Sequence, residues 1–499
     1  MTEEQITKPK IQLNESQQIV LQNLIDWSHT TNKEDLLATL KGSAGTGKTT
    51  ITNEFIKQCK FKYGVVVSAP THKAKKVIER ATNLKSFTIQ KLLGLRPNTD
   101  LDNFDINFPQ FDSGAETEIQ YFKLLIIDEA SMLNTDLYDL ICKEANRYNV
   151  KVLFIGDALQ LPPINEIASK AITDVKNIFE LTVIVRQKDT NPLADLLIAL
   201  RNDILDNTKN RNILYRYRIL IDKYNKKIIA DQLFEKAKIK LKEYNSFEEL
   251  LRQNPTNINN NEGYISLEGE QFQEKMREEF TSENYKLNKD YCKYTAWTND
   301  SISGSNRLIR SFLNDTTEVL SEGDVLMGYK TISDKYEGTF IQNSEEYIVE
   351  SIKKHINNFE LDGFEIILKF FDYEQDTYVL NRSLFIVNPN DYVNFLKKHD
   401  ELLVLAQKYK GKAWTDYYAF KNYNLLLTDI KNNKNKLLVK KDIDYGYGIT
   451  VHKTQGSTYE NIFVNLKNIR MNKDIVERKK LMYVALSRAT KKVYIYNKI

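Results

Sequence analysis

Residues Gly42 to Thr49 read GSAGTGKT, a G-x-x-x-x-G-K-[ST] phosphate-loop pattern between an apolar run (DLLATLK) and a helix-forming stretch (TITNEF). Glycines let backbone N–H groups converge on phosphate oxygens, and the helix that follows adds its positive amino end. Lys48 is spaced to reach β- and γ-phosphates, and the Thr49 hydroxyl to ligate magnesium. Further along, KLLIIDEAS (123–131) is an apolar strand ending in Asp128 and Glu129. Asp128 is expected to hold the ion through its water shell and Glu129 to orient or deprotonate an attacking water. VKVLFIGDALQLPPI (150–164) ends in Gly-Asp, a glutamine and two prolines. Gln160 there suits a γ-phosphate sensor, although a strand stopped by prolines would read the same way. ATP and Mg2+ are the cofactors this chemistry calls for.

These groups need a scaffold. YGVVVSAP (63–70) is a β-branched run followed by the helix-like THKAKKVIERA, and with KLLIIDEAS and VKVLFIGDALQLPPI it makes three strand-like runs. Parallel strands with helical crossovers predict an α/β, doubly wound core whose ligands sit at the strand carboxyl ends. The 499 residues exceed one hydrophobic core and suggest about three to four domains. With 71 basic and 67 acidic residues the net charge is +4, which excludes a histone-like tail protein and neither demands nor forbids nucleic acid. Only 18 Gly and 9 Pro occur, against long disordered linkers. Cys59, Cys142 and Cys292 are too dispersed for a disulfide framework or a four-cysteine zinc site, which fits a reduced, cytoplasmic compartment. No run approaches about 18 apolar residues and MTEEQITKPK lacks an apolar core, so neither a membrane span nor a secretory signal is expected.

Together, GSAGTGKT, SAPTHKAKK, IIDEAS, GDALQLPP, HKTQGST and YVALSRA resemble the ordered motifs of superfamily 1 helicases. The likeness is greatest to the RecD-like branch (superfamily 1B), which includes the bacteriophage Dda helicase. It runs from LNESQQ (13–18) to YVALSRATKKVYIY (483–496), and KGKAWTDYY (410–418) resembles an insertion in the SH3-like accessory domain of the phage enzyme. The resemblance implies two RecA-like motor domains with ATP between them, bridged by Lys48, Asp128 and Arg488. Nucleotide contacts would come from Gly42, Ser43, Ala44, Gly45, Thr46, Gly47, Lys48, Thr49, Thr50 and Gly456. Gln17 matches the glutamine that reads the adenine edge, a role an amide can fill by donating and accepting at once. Arg488 and Arg186 (in LTVIVRQ) match arginines that reach the γ-phosphate, where planar guanidinium groups suit spread charge. Either could instead be a structural ion-pair partner.

By the same resemblance, Pro70, Thr71 and His72 touch a DNA strand from the first motor domain, and His452, Lys453 and Thr454 from the second. Thr88, in SFTIQKLLG, falls in another contacting block, but Gln90 stands where the family commonly has His. Residues 97–122 hold six acidic side chains and no basic one, where the family places a β-hairpin pin that splits the duplex. An acidic segment repels phosphates, so an apolar wedge of Phe104, Phe108 or Phe111 is expected there; a surface loop with buried aromatics is the plain alternative. Residues 209–242 are the inverse, with eleven basic and three acidic side chains, and read as a solvated amphipathic helical insertion (within 207–262) or a phosphate-contacting arm.

The expected organisation is a first RecA-like domain at 1–85 and 123–185, a pin insertion at 86–122, a second RecA-like domain at 186–322 and 441–499, and an SH3-like domain at 323–440 with a helical insertion at 391–427. The expected activity is an ATP-dependent DNA helicase moving 5′ to 3′ by family likeness, acting as a monomer on single-stranded and forked DNA. Single-strand-binding or replication proteins are candidate partners, and the host cytoplasm the compartment if the source is viral. A translocase that strips proteins without useful unwinding shares every ATP motif. A non-catalytic DNA-binding subunit is the rival from another class, against which Lys48, Glu129 and Arg488 argue.

Overall fold

The computed structural model describes residues 13–70, 72–97, 111–113, 116–163, 166–183, 191–209, 246–314, 317–334, 338–372 and 377–497. The chain divides into two compact units, Met1–Asn210 and Arg211–Ile499.

In the first unit the strands are β1 (Leu37–Gly42), β2 (Val65–Ala69), β3 (Ser86–Thr88), β4 (Leu95–Pro97), β5 (Phe111–Ser113), β6 (Leu124–Ile127), β7 (Lys151–Gly156) and β8 (Asn177–Leu181). Six of them form a parallel sheet in the order β3-β2-β6-β7-β1-β8. The near-continuous apolar runs LLII and VLFI follow from burial on both faces. Leu124, Ile126, Leu153 and Ile155 pack with residues of α1 (Glu15–His29), α2 (Lys48–Gln58) and α3 (His72–Thr82). Their neighbours Leu125, Ile127, Val152 and Phe154 point the other way, packing with α4 (Ile89–Leu92) and α5 (Thr135–Tyr148). The sheet is therefore wound with helices on both faces.

Residues 86–88, grouped from sequence with the pin insertion, form the edge strand of this sheet, because Val67, Ser68 and Ala69 pair with Ser86, Phe87 and Thr88. Beyond it, β4 and β5 make a separate two-stranded antiparallel ladder, Leu95 opposite Ser113 and Pro97 opposite Phe111. Phe104 and Phe108 lie outside the described residues, and so does most of the basic stretch 209–242. The helix Leu193–Lys209, grouped from sequence with the second motor domain, belongs to the first unit.

Strands of the second unit begin with β9 (Thr256–Asn259), β10 (Glu262–Leu267), β11 (Cys292–Ala296), β12 (Val325–Gly328), β13 (Ile332–Asp334), β14 (Gly338–Ile341), β15 (Glu346–Ile356) and β16 (Asp362–Asp372). They continue with β17 (Thr377–Val387), β18 (Asn424–Leu425), β19 (Ile430–Lys431), β20 (Leu437–Val439), β21 (Ile443–Tyr445), β22 (Gly448–Thr450), β23 (Tyr459–Asn465) and β24 (Ala489–Tyr496). One sheet runs β22-β11-β23-β24-β10-β9 and is parallel except for the β9–β10 edge pair. The other runs β18-β17-β16-β15-β12-β21 and is antiparallel except for β17–β18. Helices Tyr392–Tyr409 and Lys412–Tyr423 lie between β17 and β18, inside the 391–427 stretch read as helical.

Buried ion pairs join these two sheets. Lys293 on β11, fully buried, donates to Glu346 on β15 at 2.8 Å and to the Gly446 carbonyl at 2.9 Å. Arg310, on the helix Asn299–Leu313, donates from Nε to both Asp324 oxygens at 3.0–3.1 Å, and Tyr447 donates to the same carboxylate at 2.7 Å. No helix among the described residues is long and apolar enough to cross a membrane.

Candidate nucleotide site and nucleic-acid contacts

The parallel register of the first sheet gathers the phosphate-directed motifs. Lys41 pairs with Gly156 and Ile127 with Phe154, so the phosphate loop, Asp128 and the Asp157–Gln160 turn leave the sheet at one carboxyl edge. β7 lies between β1 and β6 and carries the Gln160 turn. Ala69 beside Thr88 brings Pro70 to the same edge.

The loop is a tight nest. Gly45 and Gly47 have φ of 83° and 88°, a region open to glycine at little cost. The Thr46 hydroxyl is buried and donates to the Ser43 carbonyl at 3.0 Å. Lys48 curls back, its ammonium donating to the carbonyls of Gly42 at 2.7 Å and Ser43 at 3.1 Å. An arriving phosphate can take over that ammonium without any rearrangement of the sheet. Thr49 is exposed on the first turn of α2, its hydroxyl open to a metal or phosphate.

Gln17 is buried at the start of α1 and is bonded in two directions. Its Oε1 accepts the Asn14 N–H at 3.1 Å while the Asn14 side chain accepts the Gln17 N–H at 2.9 Å, a reciprocal capping box. Its Nε2 donates to the Thr46 carbonyl at 3.1 Å. One N–H and one lone pair of the amide remain for a ligand. The Asn-x-x-Gln spacing in LNESQQ was a readable signal for the box; its tie to the phosphate loop was not.

Burial pushes the Asp128 carboxyl above its ordinary value, opposed by the Glu129 N–H bonded to Oδ1 at 2.9 Å and by the nearby Lys48 ammonium. A carboxylate held against such a penalty suits a cation. No cluster of three or more His, Cys, Asp or Glu stands among the described residues, and magnesium beside a phosphate loop needs only one or two protein ligands because phosphates and waters supply the rest. Asp128 and Thr49 fit that requirement. Glu129 adopts φ 52°, ψ 37°, a left-handed conformation costly to a residue with a Cβ.

Gln160 is 5% exposed and its Oε1 is buried with no hydrogen-bond partner among the described residues. The same holds for Ser131 Oγ, whose backbone nitrogen would lie 3.1 Å from a Cβ at Gly156. Both residues lie on the segments that follow β6 and β7, at the sheet edge where the phosphate loop also emerges. Ser131 was not singled out in the sequence, although it closes the IIDEAS motif.

In the second unit, Gly456 has φ 74° in the turn after the short helix Val451–Thr454. Arg488 is buried, donating to the Val484 carbonyl at 3.1 Å, the Ser457 carbonyl at 3.4 Å and Ser487 Oγ at 3.0 Å. Thr454 is buried and donates to the Val451 carbonyl at 2.7 Å. Burial lowers the His452 pKa, opposed by Glu477. Lys453 lies over the Tyr329 ring at 3.7 Å, and burial together with Lys441 brings its pKa down to about 8. Thr88 caps α4, accepting the Lys91 N–H at 3.3 Å, so its hydroxyl already has a structural task. Thr71 and Arg186 lie outside the described residues, and of His72 only its place at the start of α3 is described.

Comparison with known proteins completes the picture. Residues 12–213 match the AAA domain family model and residues 445–496 the UvrD-like helicase C-terminal domain. The chain is 24% identical to the mimivirus protein R530 (Acanthamoeba polyphaga mimivirus) over 96% of its own length and 99% of that protein. It is 26% identical to the ATP-dependent DNA helicase Dda of Enterobacteria phage T4 over 171 residues, 33% of this chain and 37% of that one. The Pif1 helicase structure from Candida albicans is similar over 98% of this chain and 95% of that chain, at 16% identity and a TM-score of 0.48.

Proposed function

We propose, for a chain that belongs to the RecD-like branch (superfamily 1B) of the DNA helicases, that it hydrolyses ATP at its phosphate loop to travel 5′ to 3′ along single-stranded DNA and to open duplexes ahead of it. The observation that supports this most is the convergence of Lys48, Asp128 and Glu129 at one sheet edge, with the Lys48 charge near enough to oppose the rise in the Asp128 pKa.

In this reading the loop N–H groups of residues 42–47 cradle the phosphates and Lys48 leaves its loop carbonyls for the β- and γ-oxygens. Gln17 presents its remaining amide groups to the adenine edge. Magnesium, held by the Thr49 hydroxyl and by Asp128 through water, would offset phosphate charge when bound. Glu129 orients or deprotonates the attacking water, Gln160 reports the γ-phosphate, and Arg488 with Arg186 stabilises charge on the transferred group. Pro70, Thr71, His72 and Thr88 are proposed strand contacts of the first motor domain, and His452, Lys453 and Thr454 those of the second. The β4–β5 ladder is the proposed root of the pin and the β18–β21 sheet the SH3-like accessory domain. Action as a monomer in the cytoplasm, on single-stranded and forked DNA, completes the proposal.

ATPase rates with and without single-stranded DNA or RNA test it. Stimulation by DNA that vanishes in Lys48→Ala is expected; a basal rate that neither polymer nor the substitution alters would overturn it. Duplexes carrying only a 5′ or only a 3′ tail test polarity, and unwinding solely from the 3′ tail would refute the direction.

A further inference from the structure

Residues 430–441 (IKNNKNKLLVKK) carry five lysines and no acidic residue. The segment forms the β19–β20 hairpin, which pairs with itself and joins none of the six-stranded sheets. Residues 431–438 are exposed, and Leu437 and Leu438 stand 39% and 49% open to solvent. No ion-pair partner for Lys431, Lys434 or Lys436 occurs among the described residues. A bare two-stranded hairpin is marginal by itself, and like charges along it make it more so.

The hairpin does not end in open solvent. Its exit residue Lys441 places its ammonium 4.1 Å from the centre of the Tyr329 ring, the ring over which Lys453 lies at 3.7 Å. The two nitrogens are thus no farther apart than the sum of those distances. Lys441 is paired with Asp444 and Lys330 with Asp442, and Asp429 accepts the Lys441 N–H at 3.0 Å, so the carboxylates at the hairpin base are engaged by the inner residues. Lys453 lies against the ring and within 4.0 Å of the Met327 sulfur, with Asp444 near enough to favour its charged form and no ion pair among the described residues. The register that holds Tyr329 here is backbone: its N–H donates to the Asp442 carbonyl at 2.8 Å, next to the β12–β21 pairing.

We propose that the β19–β20 hairpin is a phosphate-binding arm for single-stranded DNA, continuing the strand contact of Lys453 through Tyr329 and Lys441 to Lys436, Lys434 and Lys431. An extended polyanion suits these cations, which stand exposed along an open hairpin. Leu437 and Leu438 beside the lysines offer apolar surface to exposed bases, which suits a single strand more than a duplex. This rests on the reading of Lys453 as a strand contact.

The test is the salt dependence of oligo(dT) binding by the full chain with Lys431, Lys434 and Lys436 all changed to Gln. Each lost single-strand phosphate contact should lower the slope of log K against log salt by about 0.7, so the triple variant should be shallower by about 2. A Lys→Arg triple should restore the slope, and an unchanged melting temperature identifies a folded variant. An unchanged slope with oligo(dT), or a change seen only with a blunt duplex, overturns the arm. Lys453→Ala separates the two readings: if it lowers the slope and the triple variant does not, only the arm fails. If neither substitution matters, the strand contact of Lys453 fails with it.

Discussion

The Gln17 amide donates to the Thr46 carbonyl across 3.1 Å while accepting the Asn14 N–H, so one side chain fixes the phosphate loop against the start of α1. A Cβ on Gly47 would come within 2.5 Å of Gln17 Nε2, at a residue whose φ is 88°. Gln17→Ala should raise the KM for ATP about tenfold, the equivalent of roughly one net hydrogen bond to the loop or the base. Gly47→Ala should prevent nucleotide binding altogether. Titration with a non-hydrolysable ATP analogue reads both; wild-type affinity in either variant would contradict the relationship.

Glu129 combines a proposed role in water activation with left-handed backbone. Glu129→Gly should stop hydrolysis while keeping or raising stability, by up to about 1 kcal/mol, because the Cβ clash is relieved. Glu129→Gln should also lose activity, by about 10² to 10⁴-fold, but without the gain in stability. A Gly variant that melts well below wild type would show that the conformation is not strained.

Strand affinity should depend on pH through Lys453. Burial and Lys441 hold its pKa near about 8 in the free protein. A bound phosphate favours the ammonium and raises that pKa, so binding takes up a proton at and above the free value. Affinity is then full below about pH 7 and declines as pH rises through about 8. Lys453→Arg, charged throughout, should flatten the profile. An equally steep profile in the Arg variant would assign the effect elsewhere.

Asp324 is fully buried with Arg310 6% exposed, and Tyr447 and Asn314 donate to the same carboxylate. Asp324→Ala leaves a buried guanidinium unpaired and should cost about 3–5 kcal/mol in urea unfolding. Breaking the exposed Lys286–Glu283 pair should change stability by less than about 1 kcal/mol. Comparable losses from the two would mean that burial does not govern the energetics.

Joint replacement of Phe104, Phe108 and Phe111 by Ala should slow duplex unwinding at least about tenfold while ATPase stimulated by single-stranded DNA stays near normal. A parallel fall of both activities would rule out an apolar wedge.

The nucleotide chemistry was legible because its groups are contiguous in the chain. A glycine-rich turn between a strand and a helix, or an apolar strand ending in Asp-Glu, carries its meaning within about ten residues. The doubly wound sheet was legible for a similar reason: LLII and VLFI are apolar at successive positions, as strands covered on both faces must be. Boundaries were less legible. Ser86–Thr88 carries no mark of membership in the first sheet, since its pairing with Val67–Ala69 is a long-range choice.

The sequence by itself thus determined the family, the phosphate loop and the carboxylates that face it, all set by local spacing and strand periodicity. Only the tertiary structure decided that Gln17 braces Thr46, that Glu129 is left-handed, and that Tyr329 gathers Lys441 and Lys453 from positions more than one hundred residues along the chain. Such contacts depend on strand order and register, which are energetic outcomes of the whole core. The lysine run of the β19–β20 hairpin is local in the chain, whereas the approach of its exit residue Lys441 to Tyr329 is not.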